Sequence, residues 1–450
     1  MNFFKRGWTS YVIVTLIISL LAMTFQIQPV QAESPFDIAA ESAILIEAKT
    51  GKILFKKNED IPLPPASMSK MMTEYLVLEA IAKGDFGWDT VVRASSYAHY
   101  LGALDGTSRV WLADGEERTV EELYTAMAVY SANDATVALA ELVAGSEGSF
   151  VEIMNQKAAE LGMTNTRFVN SSGLPNRMLR KYMSTGTAED ENVMSAKDTA
   201  LLAQALVNEY PEVLKFSSIP EKPAEYFNGV RMINWNWMLV GHPEGQARNH
   251  AYPGLDGLKT GYTDQAQNCF TGTAEREGMR LISVVMGSKS RDTRFQETRK
   301  LLDYGFNNYV YKEFAKAGDL LPETPALPVR KGVKKEIKVA LGGPLHTVVH
   351  KDEEELYTID YTLNQELLDP SGELLAPISN EAVVGEVVLK YTGEKQYDYI
   401  QSGTKPDATS LVALEDVESA SWFRLFMRSI LGFFSGIWTG ITDSIKGLFS

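Results

Sequence analysis

The strand-forming stretches of this chain lie far apart, and that separation limits how it can fold. In "SAILIEAKTGKILFKKN", residues 43–47 and 52–55 are two alternating runs joined across Ala48-Lys49-Thr50-Gly51. After Gly254, "GLKTGYT", "NCFTGTAER" and "MRLISVVMG" are again short β-rich runs at hairpin-like spacing, and "DTRFQETRKLLDYGF" reads as a closing helix. From "PPASMSKMMTEYLVLEAIAKG" to about Glu209, apolar residues recur at three- and four-residue intervals, the period of helices. The expectation is an α/β domain over 33–308: one antiparallel sheet, made of the early hairpin and the three late strands, packed between helices. The turn at 48–51 is predicted to be a solvated hairpin tip, with Gly51 supplying the backbone freedom.

Downstream, "LPETPALPV" is Pro-rich, and "KEIKVAL", "HTVVH", "LYTIDYTL", "AVVGEVVLKY" and "YDYIQS" alternate. These predict a small all-β domain over 309–405 and a linker over 406–420. At 421 the composition changes. On a helical wheel Trp422, Phe423, Phe426, Ile430, Phe433, Phe434, Ile437, Trp438, Ile441, Ile445 and Leu448 fill one half, while Arg424, Arg428, Ser435, Thr439, Thr442 and Lys446 fill the other. The uncharged stretch 429–442 is too short to span a bilayer, and two Trp with cationic flanks suit the headgroup boundary. Residues 421–450 are therefore expected to lie in the membrane surface; docking on the chain's own body is the alternative.

At the other end, "FFKRGW", "YVIVTLIISLLAM" and "VQA" supply the cationic start, apolar run and small-residue cleavage site of a secretory signal peptide over 1–32. An uncleaved anchor is the alternative, but the run falls short of the roughly 18–20 residues that span. Loss of Lys5 and Arg6 takes the formal charge of −15 to about −17, which argues against a nucleic-acid partner. Export permits disulfides, yet Cys269 is the only cysteine, so no internal bridge can form. Stability must come from a core, and an apolar fraction of 45% can supply one.

Ser67 and Lys70, in "PASMSKMMTEYL", stand nearly one turn apart at the start of a predicted helix, so hydroxyl and amine share a face. A serine hydroxyl is a poor nucleophile until a base takes its proton; a lysine can do so if burial and nearby cations lower its pKa. Ser402 and Lys405 have the same spacing, but Gly403 and Pro406 disfavour a helix there. "YSANDATVALAEL" sets Ser131 and Asn133 before an amphipathic helix, where Ser131 taken alone reads as a helix N-cap. "GLKTGYT" sets Lys259 and Gly261 on one face of a strand. The lysine supplies charge there, and the glycine leaves the backbone open for a substrate to lie along it.

In the order S-x-x-K, S-x-N, K-T-G, these elements resemble the set of the penicillin-recognising serine acyl-transferases. "SAILIEAKTGKIL", "FVNSSGLPN", "LDGLKTGYT" and "MRLISVVMGSKSRDTRF" look like the exported D-alanyl-D-alanine carboxypeptidases, the low-molecular-mass penicillin-binding proteins. So do the appended β-domain and the tail. The resemblance implies that Ser67 attacks the carbonyl of the penultimate D-Ala, with Lys70 as base and Ser131 with Lys259 as a hydrogen-bonded proton path to the leaving amine. It further implies that Asn133 orients the substrate amide, that Lys259, Thr260 and Arg294 meet the terminal carboxylate, and that the N–H groups of Ser67 and Tyr262 form the oxyanion hole. Read without the resemblance, Arg294 is an ordinary solvated helix residue.

The partners implied are peptidoglycan stem peptides, β-lactams as inhibitors, and a membrane surface on the outer face of the bacterial cytoplasmic membrane. No metal or other cofactor is implied, because His99, His242, His250, His346 and His350 form no ligand spacing. Cys269 reads as a core thiol, and Asn170 falls in a turn whose part in shaping the cleft stays open. A β-lactamase is the rival hydrolase, but the Glu-x-x-x-Asn pattern expected for fast deacylation is missing near "TRFVNSSG". A noncatalytic wall-associated protein on the same fold would not need all three motifs intact.

Overall fold

The computed structural model describes residues 36–322, 324–401, 408–428 and 430. Contacts divide the chain into two compact units, Met1–Ile38 and Ala39–Ser450. Of the first unit only residues 36–38 are described, outside any helix or strand, so the expected leader at 1–32 lies outside the described residues.

In the second unit, β1 (Ser42–Glu47), β2 (Ile53–Lys57), β3 (Leu255–Thr263), β4 (Gln267–Arg276) and β5 (Met279–Ser288) form one sheet in the order β2-β1-β5-β4-β3. Every pairing is antiparallel, and β1 pairs with β5 with Ala43 opposite Val285 and Leu45 opposite Ser283. The late strands thus return to the early hairpin, as the spacing predicted. All six residues of β1 are buried, because its alternating side chains meet helices on both faces. Ile44 and Ile46 join the main core of helices α1 (Lys70–Lys83), α2 (Val120–Tyr130), α3 (Asn133–Ala144), α4 (Glu147–Glu160) and α5 (Ala196–Glu209). On the other face Leu45 and Leu281 press against Gly305 of α6 (Arg291–Asn308), where an added Cβ would come within 2.4 Å of Leu281.

A second core, including Ile337, Val339, Val387 and Leu411, belongs to a separate all-β domain. Its strands are β6 (Tyr309–Ala315), β7 (Ala326–Arg330), β8 (Glu336–Leu341), β9 (Leu345–His350), β10 (Tyr357–Leu363), β11 (Leu374–Leu375), β12 (Val383–Tyr391) and β13 (Ala408–Ala413). Six of them form a sheet in the order β10-β12-β13-β8-β7-β11, and β6 pairs with β9. The linker expected over 406–420 is corrected here: β13 lies mid-sheet between β12 and β8, and Leu411 and Ala413 are buried in the core.

The hairpin tip is also corrected. Thr50, Gly51 and Lys52 are buried, because the all-β domain folds over them. Lys52 Nζ donates to the Val348 carbonyl and the Tyr357 hydroxyl, both at 2.8 Å, and sits 3.7 Å from the Tyr397 ring centroid. Residues 398–400 run alongside, with Ile53 N–H donating to the Asp398 carbonyl and Ile400 N–H to the Gly51 carbonyl. Gly51 has φ +72°, and an added Cβ would meet Ile400 at 2.8 Å, so a glycine fits on both counts.

A helix begins at residue 422, and Trp422, Phe423 and Phe426 on it are exposed. Arg428 donates to the carbonyls of Gly332 and Val333, tying this end to the all-β domain. The rest of the amphipathic segment, from 431 to 450, lies outside the described residues. No helix of the described residues is long and apolar enough to cross a membrane.

Candidate active site

Pro65 ends an extended approach, and the chain tightens into a 3-10 turn, Ala66–Ser69, before α1 begins at Lys70. The turn leaves Ser67 half-buried while Lys70 is fully buried. Lys70 Nζ lies 3.0 Å from Ser67 Oγ, 2.7 Å from Asn133 Oδ1 and 2.6 Å from the Ser172 carbonyl oxygen. Burial, and then the nearby Lys259 cation, hold this amine well below the usual lysine range, against an opposing pull from Glu74 and Asp134.

The third acceptor comes from the turn in "FVNSSGLPN", whose part sequence left open. Asn170 Oδ1 accepts from the N–H groups of Ser172 and Gly173, and Asn170 Nδ2 donates to the Leu174 carbonyl and to Asn176. Glu147, buried at the start of α4, accepts from the N–H and hydroxyl of Ser171 and from the Tyr97 hydroxyl. Thr73 of α1 donates to the Ser171 carbonyl at 2.9 Å. Gly173 has φ +80°, and a Cβ there would fall 1.9 Å from the Ala66 carbonyl oxygen, so this turn is wedged against the Ser67 turn.

Strand β3 closes the opposite side. Lys259 and Gly261 share its inward face, and Gly261 has a packing reason to lack a side chain. A Cβ there would lie 2.3 Å from the Pro65 carbonyl oxygen and 3.3 Å from Met68 Cγ, so the missing side chain lets β3 approach the Ser67 turn itself. Lys259 is buried, and that burial lowers its pKa to about 8, with the Glu74 carboxylate opposing the drop. Glu74 was missed by sequence reasoning. It stands one turn after Lys70 on α1, fully enclosed, and burial raises its carboxyl to about 7 despite Lys259 and Lys70. Its four-residue spacing from Lys70 puts both on one helix face, but that spacing does not tell an enclosed glutamate from a solvated one.

Ser131 is not a helix N-cap. It ends α2 in the left-handed conformation, φ 62°, and Asn133 opens α3 after Ala132. The hydrogen-bonded Ser131–Lys259 path is not formed: Ser131 Oγ has no hydrogen-bond partner, and Lys259 Nζ donates to the Thr260 carbonyl at 3.3 Å. Asn133, expected on the substrate amide, gives its oxygen to Lys70. Arg294 is no solvated helix residue; it is buried on α6, and its Nη1 donates to the carbonyls of Gly261 and Cys269 at 3.2 and 3.3 Å. Cys269 is a buried free thiol, pushed up to about 11 by burial. Ser67, Ser131, Asn133, Thr260, Gly261, Tyr262 and Arg294 all line one cleft of about 750 Å³, while Lys70 and Lys259 are buried.

The family model for peptidase S11, D-alanyl-D-alanine carboxypeptidase, matches residues 28–290. The chain belongs to the D-alanyl-D-alanine carboxypeptidase family. Members of this serine peptidase family are hydrolases, and residues 309–419 match a second model, penicillin-binding protein 5, C-terminal domain. The D-alanyl-D-alanine carboxypeptidase DacF of Bacillus subtilis is 32% identical over 443 residues, 97% of this chain and 99% of that protein. A crystal structure of a peptidoglycan synthesis regulatory factor (PBP3) from Streptococcus pneumoniae aligns with a TM-score of 0.71 at 32% identity, over 85% of this chain and 100% of that one. Penicillin-binding protein D2 from Listeria monocytogenes, in its cefotaxime-bound form, aligns at 34% identity and a TM-score of 0.50, over 61% of this chain and all of that chain.

Proposed function

We propose that this enzyme removes the terminal D-alanine from peptidoglycan stem peptides ending in D-Ala-D-Ala, through an acyl-enzyme on Ser67. The observation that carries the reading is the set of contacts around the Lys70 amine. A neutral amine has two N–H groups and one lone pair, and both Asn133 Oδ1 and the Ser172 carbonyl can only accept. The two hydrogens are thereby assigned, and the lone pair is left for the Ser67 hydroxyl at 3.0 Å. That is the arrangement of a general base on a nucleophile, and the lowered pKa favours the neutral form it needs.

In this mechanism Ser67 Oγ bonds to the carbonyl carbon of the penultimate D-Ala while Lys70 takes its proton. The C–N bond to the last D-Ala breaks, and the proton passes by way of Ser131, whose hydroxyl is uncommitted at the cleft wall, to the leaving amine. Water then adds to the acyl carbon and frees Ser67. Backbone N–H groups of Ser67 and Tyr262 would hold the oxyanion. The terminal carboxylate would meet Thr260 and the field of Lys259 and Arg294, and Asn133 Nδ2 the substrate amide. A β-lactam would acylate the same serine and leave slowly, as the absence of the Glu-x-x-x-Asn pattern implies. Export by a leader at 1–32 and attachment through 421–450 would place the cleft over the outer membrane face, in cell-wall biogenesis and the maintenance of cell shape. The all-β domain would act as a spacer.

Labelled penicillin and a D-Ala-D-Ala peptide test this together. Long-lived labelling on Ser67 with release of D-Ala is expected, and Ser67→Ala should abolish both. Rapid penicillin turnover would instead mark a β-lactamase, absence of both signals a noncatalytic protein, and D-Ala release retained by Ser67→Ala would remove Ser67 as nucleophile.

A further inference from the structure

One wall of the cleft carries a cation that the proposed chemistry leaves unused. Arg291, the first residue of α6, lines the cleft with its side chain exposed, one turn before Arg294. Its guanidinium lies 5.2 Å from the Trp235 ring centroid and 5.0 Å from that of Trp237. Both indoles are fixed. Trp235 Nε1 donates to the Tyr130 carbonyl at 3.1 Å, and its ring stacks on Tyr130 at 6.0 Å; Trp237 is buried against His250 and Phe295. The neighbouring carboxylate, Asp292, is committed to His250 Nε2 at 2.8 Å, and none of the described carboxylates pairs with Arg291.

A guanidinium held within cation–π range of two aromatic rings has surrendered some of its side-chain freedom already, and its N–H donors stay available for a planar anion. Arg177, also on the cleft wall, has only a loose pairing with Glu191 at 3.7 Å, and Asp264 is the acidic residue among those that line the cleft. The rim is therefore set for negative charge, and Tyr130 links this wall directly to Ser131.

We propose that Arg291, seated on Trp235 and Trp237, is a specificity-determining residue that binds a second carboxylate of the peptide substrate, distinct from the one at Thr260. The proposal rests on the carboxypeptidase reading. The anion has two possible sources, a side chain on the acyl side of the scissile bond or a side chain on the released residue, and the peptides used distinguish them. With the mature full-length chain, release of the C-terminal residue is followed for three peptides: a neutral one ending in D-Ala-D-Ala, one with an acidic side chain just before that pair, and a neutral one ending in D-Ala-D-Asp.

The wild type is expected to prefer one acidic peptide over the neutral one by about tenfold in kcat/KM, the size of a charge-assisted hydrogen bond. Whichever acidic peptide is preferred identifies the source. Arg291→Gln should collapse that ratio, chiefly through KM, and Arg291→Lys should restore part of it. The preference should also weaken as salt is raised. A wild type with no preference, or an Arg291→Gln enzyme that keeps it, overturns the proposal while leaving the carboxypeptidase reading intact. No release by the wild type from any of the three peptides overturns both.

Discussion

Lys70 and Lys259 are both buried and share Glu74 as a neighbour, and the proposed mechanism needs them in opposite protonation states. As base, Lys70 must be neutral; as a partner for a carboxylate, Lys259 must be charged. Activity should therefore rise with pH as Lys70 loses its proton and fall as Lys259 does, near pH 8. Glu74 is ionised in the upper part of this range, its carboxyl titrating at about 7, and a negative charge holds a proton on Lys259. Removing it makes deprotonation easier, so Glu74→Gln should move the alkaline limb of kcat/KM for D-Ala-D-Ala peptides below that of the wild type. A limb that stays put or moves up would show that Glu74 does not set the charge of Lys259. Ser67, Lys70 and Lys259 are singled out by the order of their motifs and the family resemblance it carries, since the Ser67–Lys70 spacing also occurs at Ser402 and Lys405. Glu74 could not be singled out, since α1 is buried on nearly all sides and no wheel shows which buried position faces another charge. Nor could the left-handed corner at Ser131, because Ser before an apolar run reads as a cap until the preceding helix is seen to end there.

At the level of elements, the site is a junction where three backbones touch: the Ser67 turn, the turn at 170–173 and strand β3. Each contact uses a glycine. Gly173 lies against Ala66, and Gly261 against Pro65. Gly261→Ala would have to displace β3 or the nucleophile turn, and a shift of about 1 Å in a catalytic geometry costs on the order of a hundredfold. Penicillin acylation of that variant should fall by this order while the chain stays folded by circular dichroism; acylation at the wild-type rate would mean that the junction is loose. The sheet and its helices were legible because alternation and helical period survive in any context. The strand β13, "ATSLVA", was not: its two polar residues stand side by side, so it does not alternate, and it follows a Pro-containing segment, so only its place between β12 and β8 makes it a strand.

Across the whole molecule, the two domains are held at the tip of the first hairpin. Lys52 has lost its water, and its hydrogen bonds run to Val348 and Tyr357 in the other domain. Lys52→Met keeps the stem but removes both of those hydrogen bonds, which should cost about 2 kcal/mol. The expected result is an earlier calorimetric transition for the all-β domain with turnover of small peptides retained; an unchanged thermogram would mean that the clasp contributes nothing. Sequence could read "AKTG" as a turn but not that the turn is covered, because its cover is supplied by residues some 350 positions later. A five-stranded open sheet has two borders, and here they are β2 and β3. The backbone of residues 398–400 bonds to Gly51 and Ile53, so the start of the β2 border is already engaged. The border at β3 remains, beside the cleft. With the start of the β2 border engaged, an extended peptide pairing at β3 would lie beside the cleft, and a catalytic domain severed from its companion would expose a second, unproductive place for self-association.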